Sequence, residues 1–428
     1  MIPFENIVTD FGAAGDGVTD DTAAIQRAID AGGIVRFPAG TYRTGTIYLK
    51  SNGGLHLEPG AVILGSTNRA DYNADDFCPQ NRACPEEFVT GAHLIVALEQ
   101  ENVSITGSGT IDGSGRHWVN DSVLVEGSTD LQPDPSRPAQ MIFFCECKNV
   151  RVTDVNITNG PYWHLFFHGC EGVFCRGLHI SGDHRRWTND GIDVDCCTDV
   201  TISDCVIDVG DDALAIRANG EPLLHRPGIC ENVTVSNCVL HSSRDNGIRI
   251  GVGAGTVERC TLTNLVIDAP YSAGICIACR WSMAAAAATT VRDMAFSNLN
   301  IASLRPIDIY TAPAEGDMPN DCGIRNLMFQ NLLLTVTGVE LFRQILAEFP
   351  AVTLGVKLLG TQGCRLSELY FSGVTVQNRS DFSDTLFEIR RADGIVLDGV
   401  HVAGKSDAEL AGAFAVSDAS VRLNGVNI

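Results

Sequence analysis

Along much of the chain, apolar residues fall at positions 2, 4, 7 and 9 of a recurring nine-residue phrase. It reads NVRVTDVNI (149–157), GVFCRGLHI (172–180), DVTISDCVI (199–207), NVTVSNCVL (232–240), RCTLTNLVI (259–267) and DMAFSNLNI (293–301). Three later copies are NLMFQNLLL (326–334), ELYFSGVTV (368–376) and GIVLDGVHV (394–402). Alternation of this kind marks a strand with one face inward, and its break between positions 4 and 7 requires a bend that resets the inward parity. Position 6 is that bend. It holds Asp154, Gly177, Asp204, Asn237, Asn264, Asn298, Asn331, Gly373 and Gly399, all residue types that tolerate a left-handed backbone. Copies recur at spacings from 23 to 42 residues. A fixed strand–bend–strand unit with variable insertions predicts a right-handed parallel β-helix, in which coils stack and insertions emerge as loops.

A solenoid needs its ends covered. TDDTAAIQRAIDAGG (19–33) has cap residues, apolar spacing and a Gly-Gly stop, which predict an N-terminal capping helix. GVELFRQILAEFPAV (338–352) reads as a second short helix, and the segments around 66–90 and 113–138 as long loops beside one strand face. The expected organisation is one domain over 1–428: a cap region over 1–45, stacked coils over 46–402 and a C-terminal cap over 403–428. After the phrase, each central coil offers a third short strand: HLFF (164–167), GIDV (191–194), ALAI (213–216), GIRI (247–250), GICI (274–277) and PIDI (306–309). Stacking them puts Asp190, Asp211 with Asp212, Asp245 with Asn246, and Ala273 in one row. It puts Asp193, Ala215, Arg249, Cys276 and Asp308 in a second, outward row.

Composition narrows the picture. Of 428 residues 45% are hydrophobic and 19% charged, enough to bury a large core, and 43 glycines suit a β-rich chain with many turns. No apolar run approaches the roughly 20 residues that span a bilayer, so a soluble protein is expected. MIPFENIVTDFG lacks the pattern of a secretory leader, so the expected location is the cytoplasm, or outside the cell if a leader was removed. A net charge of −22 argues against nucleic acid and anionic membrane surfaces as partners. The 16 cysteines read as buried thiols. Cys276 and Cys279 form a CxxC and Cys145 and Cys147 a CxC, but neither has a second half at zinc-site spacing, so neither a metal nor another cofactor is expected. An exposed solenoid flank could build a homo-oligomer.

The carboxylates concentrate in WTNDGIDVDCCTDVTISDCVIDVGDDALAIR (187–217). Asp199 and Asp204 occupy phrase positions and serve the coil. Coils about 4.8 Å apart bring Asp190 near the Asp211/Asp212 pair, and crowded carboxylates cannot all stay ionised, so one is raised into the range of a general acid. This stretch resembles the catalytic turn of the polygalacturonase-type glycoside hydrolases of family 28, whose motifs run N-T-D-G-I-D and then G-D-D-C-I-A-I-K. FGAAGDGVTDDTAAIQRAID and FPAGTYRTGTIYL are similar to the opening of the wider pectate-lyase-like superfamily. The resemblance implies an inverting glycoside hydrolase in which Asp211 is the general acid and Asp190 and Asp212 activate water. For such an enzyme a gap of roughly 6.5–9.5 Å between acid and base is expected.

The pattern departs beyond this turn. Where the family carries G-H-G and R-I-K, this chain has SRDNGIRIG (243–251) and AGICIACR (273–280), so Asp245 replaces the histidine, Cys276 the arginine and Ala278 the lysine. In the family those groups hold the substrate and its carboxylate. Arg217, Arg244, Arg249 and Arg280 lie on or beside the same strands and could grip a carboxylate, although each is expected more often to pair with a nearby acid. Asp245 as a fourth acid suits sugar hydroxyls better than a uronate. His164, Trp187 and Tyr310 complete the candidate substrate contacts with Asn246, and Asn189 is placed to orient Asp190 or shape its turn. The expected function is exo-acting hydrolysis of a pectin-derived or related oligosaccharide. The alternatives are a uronate lyase or epimerase using carboxylate-bound calcium and a basic side chain, and a glycan-binding β-helix without turnover.

Overall fold

The computed structural model describes residues 5–81, 87–124, 131–280, 285–313, 317–318, 321–338, 354–380 and 384–428. They form two compact units, Met1–Asp211 with Pro222–Pro227, and Asp212–Glu221 with Gly228–Ile428. Each unit is a stack of parallel coils. The fold class is a right-handed parallel β-helix, with the hand that nearly all parallel crossovers take.

In the first unit, Gly53–Leu57, Glu101–Gly107, Lys148–Thr153, Glu171–Arg176 and Thr198–Ser203 pair in succession, all parallel. The third column runs through Ile95–Leu98, Ile142–Cys145, Leu165–His168 and Ile192–Asp195. In the second unit, Leu214–Ala218 pairs with Ile248–Gly253, which pairs with the end of Thr256–Ala278, and the ladder continues through Thr290–Tyr310. Inward phrase residues are buried in both units, among them Val200, Ile202, Cys205 and Ile207 in the first. Aromatic stacking continues the pattern, with Phe296, Phe329 and Phe371 face to face at 4.5 and 4.6 Å.

All nine bend residues have positive φ, from 54° at Asn331 to 67° at Gly373. Asparagine does more here than tolerate the bend. Asn264 donates its amide to Asn237, Asn298 to Asn264 and Asn331 to Asn298, at 3.1–3.2 Å. A left-handed non-glycine residue costs roughly 1–2 kcal/mol, and a hydrogen bond of about 1 kcal/mol per coil offsets much of that. Phrase position 1 is also left-handed in all nine copies, even where Arg259 (52°) and Glu368 (57°) occupy it.

The N-terminal helix is Thr22–Asp30 and buries Ala24, Ile25, Ala28 and Ile29. Gly32 and Gly33 stop it at φ +84° and +79°. Asp21 does not cap it through its side chain; its carboxylate accepts instead from the amides of Ala14 and Gly15 at 2.7 and 3.0 Å. The segment read as a helix over 338–352 lies almost wholly outside the described residues. Of the loop over 113–138, Val119–Leu124 pairs antiparallel with Leu131–Pro133. The coils also run further than the phrases reach, because Phe414–Leu423 pairs parallel with Phe387–Val402 before a final antiparallel turn.

Candidate active site

The first unit fixes Asp190 and Asp211. Leu165 pairs with Ile192 and Phe166 with Asp193, which leaves Asp190 on the turn just before its strand. The Asp190 carbonyl accepts from the backbone amide of His164 at 2.9 Å and from its Nδ1 at 2.8 Å. His164 is fully buried, and burial pushes its pKa down to about 4, so it is a neutral strut for this turn and offers no face to a sugar. Asn189 works on the other side. Its Oδ1 accepts from the amides of Gly210 (2.8 Å) and Asp211 (3.2 Å), while its Nδ2 donates to the Asp183 carbonyl. Asn189 therefore holds the backbone that presents Asp211. One carboxylate oxygen of Asp190 lies within 4.8 Å of one of Asp211, and both residues are over nine-tenths buried. That closest oxygen–oxygen approach is shorter than the roughly 6.5–9.5 Å expected between the two groups. Trp187, three residues earlier, is half-buried.

The second unit fixes Asp212 and its neighbours. Asn246 donates from its backbone amide (3.1 Å) and its Nδ2 (2.8 Å) to one oxygen of Asp212, and the same Nδ2 reaches Asp245 at 2.6 Å. Ser272 donates to Asn246 at 3.2 Å. Burial raises Asp212, against the pull of Arg249 and Arg217. Burial, and then the charge of Asp212, raise Asp245 to about 7. Asp245 thus holds a proton up to near neutrality, while Asn246 donates to both acids from the same Nδ2.

Register places Ala215 beside Arg249, Arg249 beside Cys276 and Cys276 beside Asp308, which is the outward row expected from the third strands. The row continues where the sequence reading stopped, from Asp308 to Lys357 and from Lys357 to Glu388. Above it lies a cleft of about 350 Å³ whose lining includes Asp245, Asn246, Arg249 and Tyr310, together with Arg305, Lys357 and Arg390. Four of the eight expected substrate contacts thus share one cleft. The last three cations were missed, although VKLL and FEIR are patterned like the earlier third strands, with Lys357 in the row of Asp308 and Arg390 two residues beyond Glu388 of that row, beside Leu359. Arg305 bridges to Asp308 at 3.1 Å and Arg249 donates to the Cys276 sulfur at 3.1 Å. Among the described residues, Lys357 and Arg390 have no hydrogen bond or ion pair through their side chains. Burial lowers the pKa of Lys357.

Arg280 is outside this group. It donates to the Ala285 carbonyl at 3.0 and 2.7 Å and to that of Asp317 at 3.4 Å, and so ties loop backbone together. Arg217 acts on Asp212 through its charge and does not line the cleft. The CxxC is no unit either, because Cys276 faces the cleft while Cys279 lies with Cys322 and Cys364.

Comparison with known proteins gives a consistent result. The family model for glycosyl hydrolases family 28 matches residues 80–391, and one for rhamnogalacturonase A/epimerase, pectate lyase-like, matches 4–122. A probable polygalacturonase of Arabidopsis thaliana is 28% identical over 296 residues, 61% of this chain and 58% of that protein. The exo-poly-alpha-D-galacturonosidase of Dickeya chrysanthemi is 28% identical over 254 residues, 49% of this chain and 41% of that one. The chain thus spans about half the length of the curated relatives it matches. Among solved structures, the Yersinia enterocolitica family 28 exopolygalacturonase aligns with TM-score 0.74 at 19% identity, covering 100% of this chain and 79% of its own. A hyperthermoactive exopolygalacturonase from Thermotoga maritima aligns with TM-score 0.67 at 22% identity, covering 100% and 94%.

Proposed function

The chain belongs to glycosyl hydrolase family 28, and from that premise we propose that it hydrolyses a uronate-containing, pectin-derived oligosaccharide from one end. The carrying observation is the buried pair Asp190 and Asp211, oxygens within 4.8 Å, with Asn189 fastening the backbone of the second. Asp211 protonates the leaving oxygen, and Asp190 and Asp212 take the proton of the attacking water. With Asp190 and Asp211 this close, the water sits beside them rather than between them, and inversion follows if it attacks from the face opposite the leaving group.

Substrate class is read from the cleft. A chain of net charge −22 gathers Arg249, Arg305, Lys357 and Arg390 around one 350 Å³ space that also holds Asp245 and Asp308. Arg305 already meets Asp308, and Arg249 lies by Asp212 and Asp245, but Lys357 and Arg390 have no ion pair among the described residues, and a sugar carboxylate accepts paired hydrogen bonds from such groups. These cations stand in for the R-I-K element that is Cys276 and Ala278 here. The reading therefore moves from neutral sugars toward a uronate. The relative named an exo-poly-alpha-D-galacturonosidase lends support to attack at a chain end. No helix among the described residues is long and apolar enough to cross a membrane. All fifteen described cysteines are free, which favours a reducing compartment and small imported fragments as substrate.

The test is incubation with defined oligogalacturonides and their methyl esters, followed by product mass, absorbance and anomeric configuration. Release of terminal units with an inverted new reducing end and no unsaturation is expected. A UV-absorbing product would overturn hydrolysis, and retention would overturn the assigned roles.

A further inference from the structure

The second unit carries a cluster of three thiols that the proposed reaction does not use. Cys279, Cys322 and Cys364 offer sulfurs that all lie within 4.8 Å of one another. Two are buried and Cys322 is half-exposed, which gives a path from solvent. Cys322 and Cys364 sulfurs are 4.0 Å apart. That is twice the roughly 2.05 Å of a disulfide, and close to the roughly 3.8 Å that separates thiolates sharing one ion at metal–sulfur distances of about 2.3 Å.

Other buried cysteines are placed differently in the fold. In the first unit Cys147, Cys170 and Cys197 follow the coil ladder, and each donates to a carbonyl of a neighbouring strand, those of Ala97, Phe144 and Phe167, at 3.2–3.4 Å. Those positions are core packing, one cysteine per coil. The cluster instead draws on three separate stretches of chain beyond the third strands. Cys279 follows Thr256–Ala278, Cys322 precedes Ile324–Val336, and Cys364 lies between Val356–Leu359 and Leu366–Asn378. Hydrogen bonds link the stretches through the end of Thr290–Tyr310: the backbone of Cys279 donates to Tyr310, that of Arg280 to Thr311 and that of Thr311 to Leu359, while the Cys364 thiol donates to the Cys322 carbonyl at 3.2 Å. The Thr311 hydroxyl also donates to the Cys364 carbonyl at 3.0 Å.

We propose that Cys279, Cys322 and Cys364 form a thiolate site for a single thiophilic d¹⁰ metal ion, with Zn²⁺ as the probe. Three thiolates and a water complete a tetrahedral zinc site; three alone suit a trigonal cuprous ion. The bound ion displaces thiol protons to solvent and changes no oxidation state. It staples the segments that continue into Tyr310, Ala312, Pro313 and Leu359, all of which line the cationic cleft. Its effect is on the firmness of that wall rather than on the chemistry.

The experiment strips metal from the reduced full-length chain, titrates Zn²⁺ against a chromophoric chelator, and repeats the titration with Co²⁺ to look for thiolate-to-metal charge transfer. One equivalent bound, with a charge-transfer band and a Tm raised by the metal, is expected. The half-exposed Cys322→Ser should lower affinity at least tenfold and weaken the band while the chain stays folded; Cys364→Ser should do the same. Cys78→Ser, outside the cluster, should change neither. Overturning results are no stoichiometric binding to the folded wild type, binding untouched by Cys322→Ser, or a Cys322–Cys364 disulfide by peptide mapping of protein kept under reducing conditions.

Discussion

The third strand column presents an outward row in both units, with opposite chemistry. In the first, the row runs Val96, Phe143, Phe166 and Asp193, and Tyr48, Phe77, Trp163 and Leu223 pack over its apolar part. In the second it runs Ala215, Arg249, Cys276, Asp308 and Lys357 and opens into the cleft. The inward residues hardly differ, because Leu165, Ile192, Leu214, Ile248, Ile275 and Ile307 all fill the same kind of core. Inward positions therefore encode the coil, and outward ones decide whether a coil is roofed or exposed to a ligand. The catalytic proposal draws on both kinds of surroundings: Asp190 and Asp211 in the first unit, Asp212 with its Asn246 bridge in the second.

The sharpest way to break the comparison is to remove the acid of the first unit. Asp211→Asn should lower kcat by about a thousandfold on oligogalacturonides with little change in KM, because the amide keeps the shape and cannot donate the proton. An unchanged kcat would remove Asp211 from the chemistry. Next comes the cleft of the second unit. Lys357→Met with Arg390→Met should raise KM for a uronate oligosaccharide by at least roughly 100-fold, since two charge-assisted contacts of about 1.5–3 kcal/mol each are lost. The methyl-esterified substrate should lose far less. Equal losses on both would show that the cations support structure and do not read a carboxylate.

Asn189→Ala tests whether positioning in the first unit is distinct from binding in the second. It frees the amides of Gly210 and Asp211, so kcat should fall about tenfold while KM holds, an effect on the order of one lost buried hydrogen bond. Rescue by Asn189→Asp, which keeps an acceptor oxygen, separates this from general damage.

How far these sites were legible follows from what each position must satisfy locally. The bend at phrase position 6 could be read because a left-handed backbone restricts its occupants to Asn, Asp and Gly in every copy. The second left-handed column was hidden, since Arg259 and Glu368 break its run of Asn, Asp and Gly while still taking positive φ. Asp190, Asp211 and Asp212 stood out through their motif. Lys357 and Arg390 follow the long insertion over 339–353, where the spacing rule loses its place. The thiol cluster joins residues 43 and 42 apart in sequence, so only folding brings them within reach.

The smallest effect belongs to Asp245, and it turns on pH. Its folded pKa of about 7 lies above its unfolded value near 3.9, so the folded state binds the extra proton between those limits. Its burial is least costly below pH 4, and stability falls as pH rises through 7. Asp245→Asn should therefore be more stable than the parent at pH 8, with the difference vanishing near pH 4. Activity follows the same proton. Above pH 7 an ionised Asp245 sets a second charge against Asp212 across Asn246, so the parent should lose a few-fold in kcat where Asp245→Asn stays flat. An alkaline limb that persists in the variant would move the titrating group off Asp245 and onto Asp212 itself, whose burial raises it in the same direction.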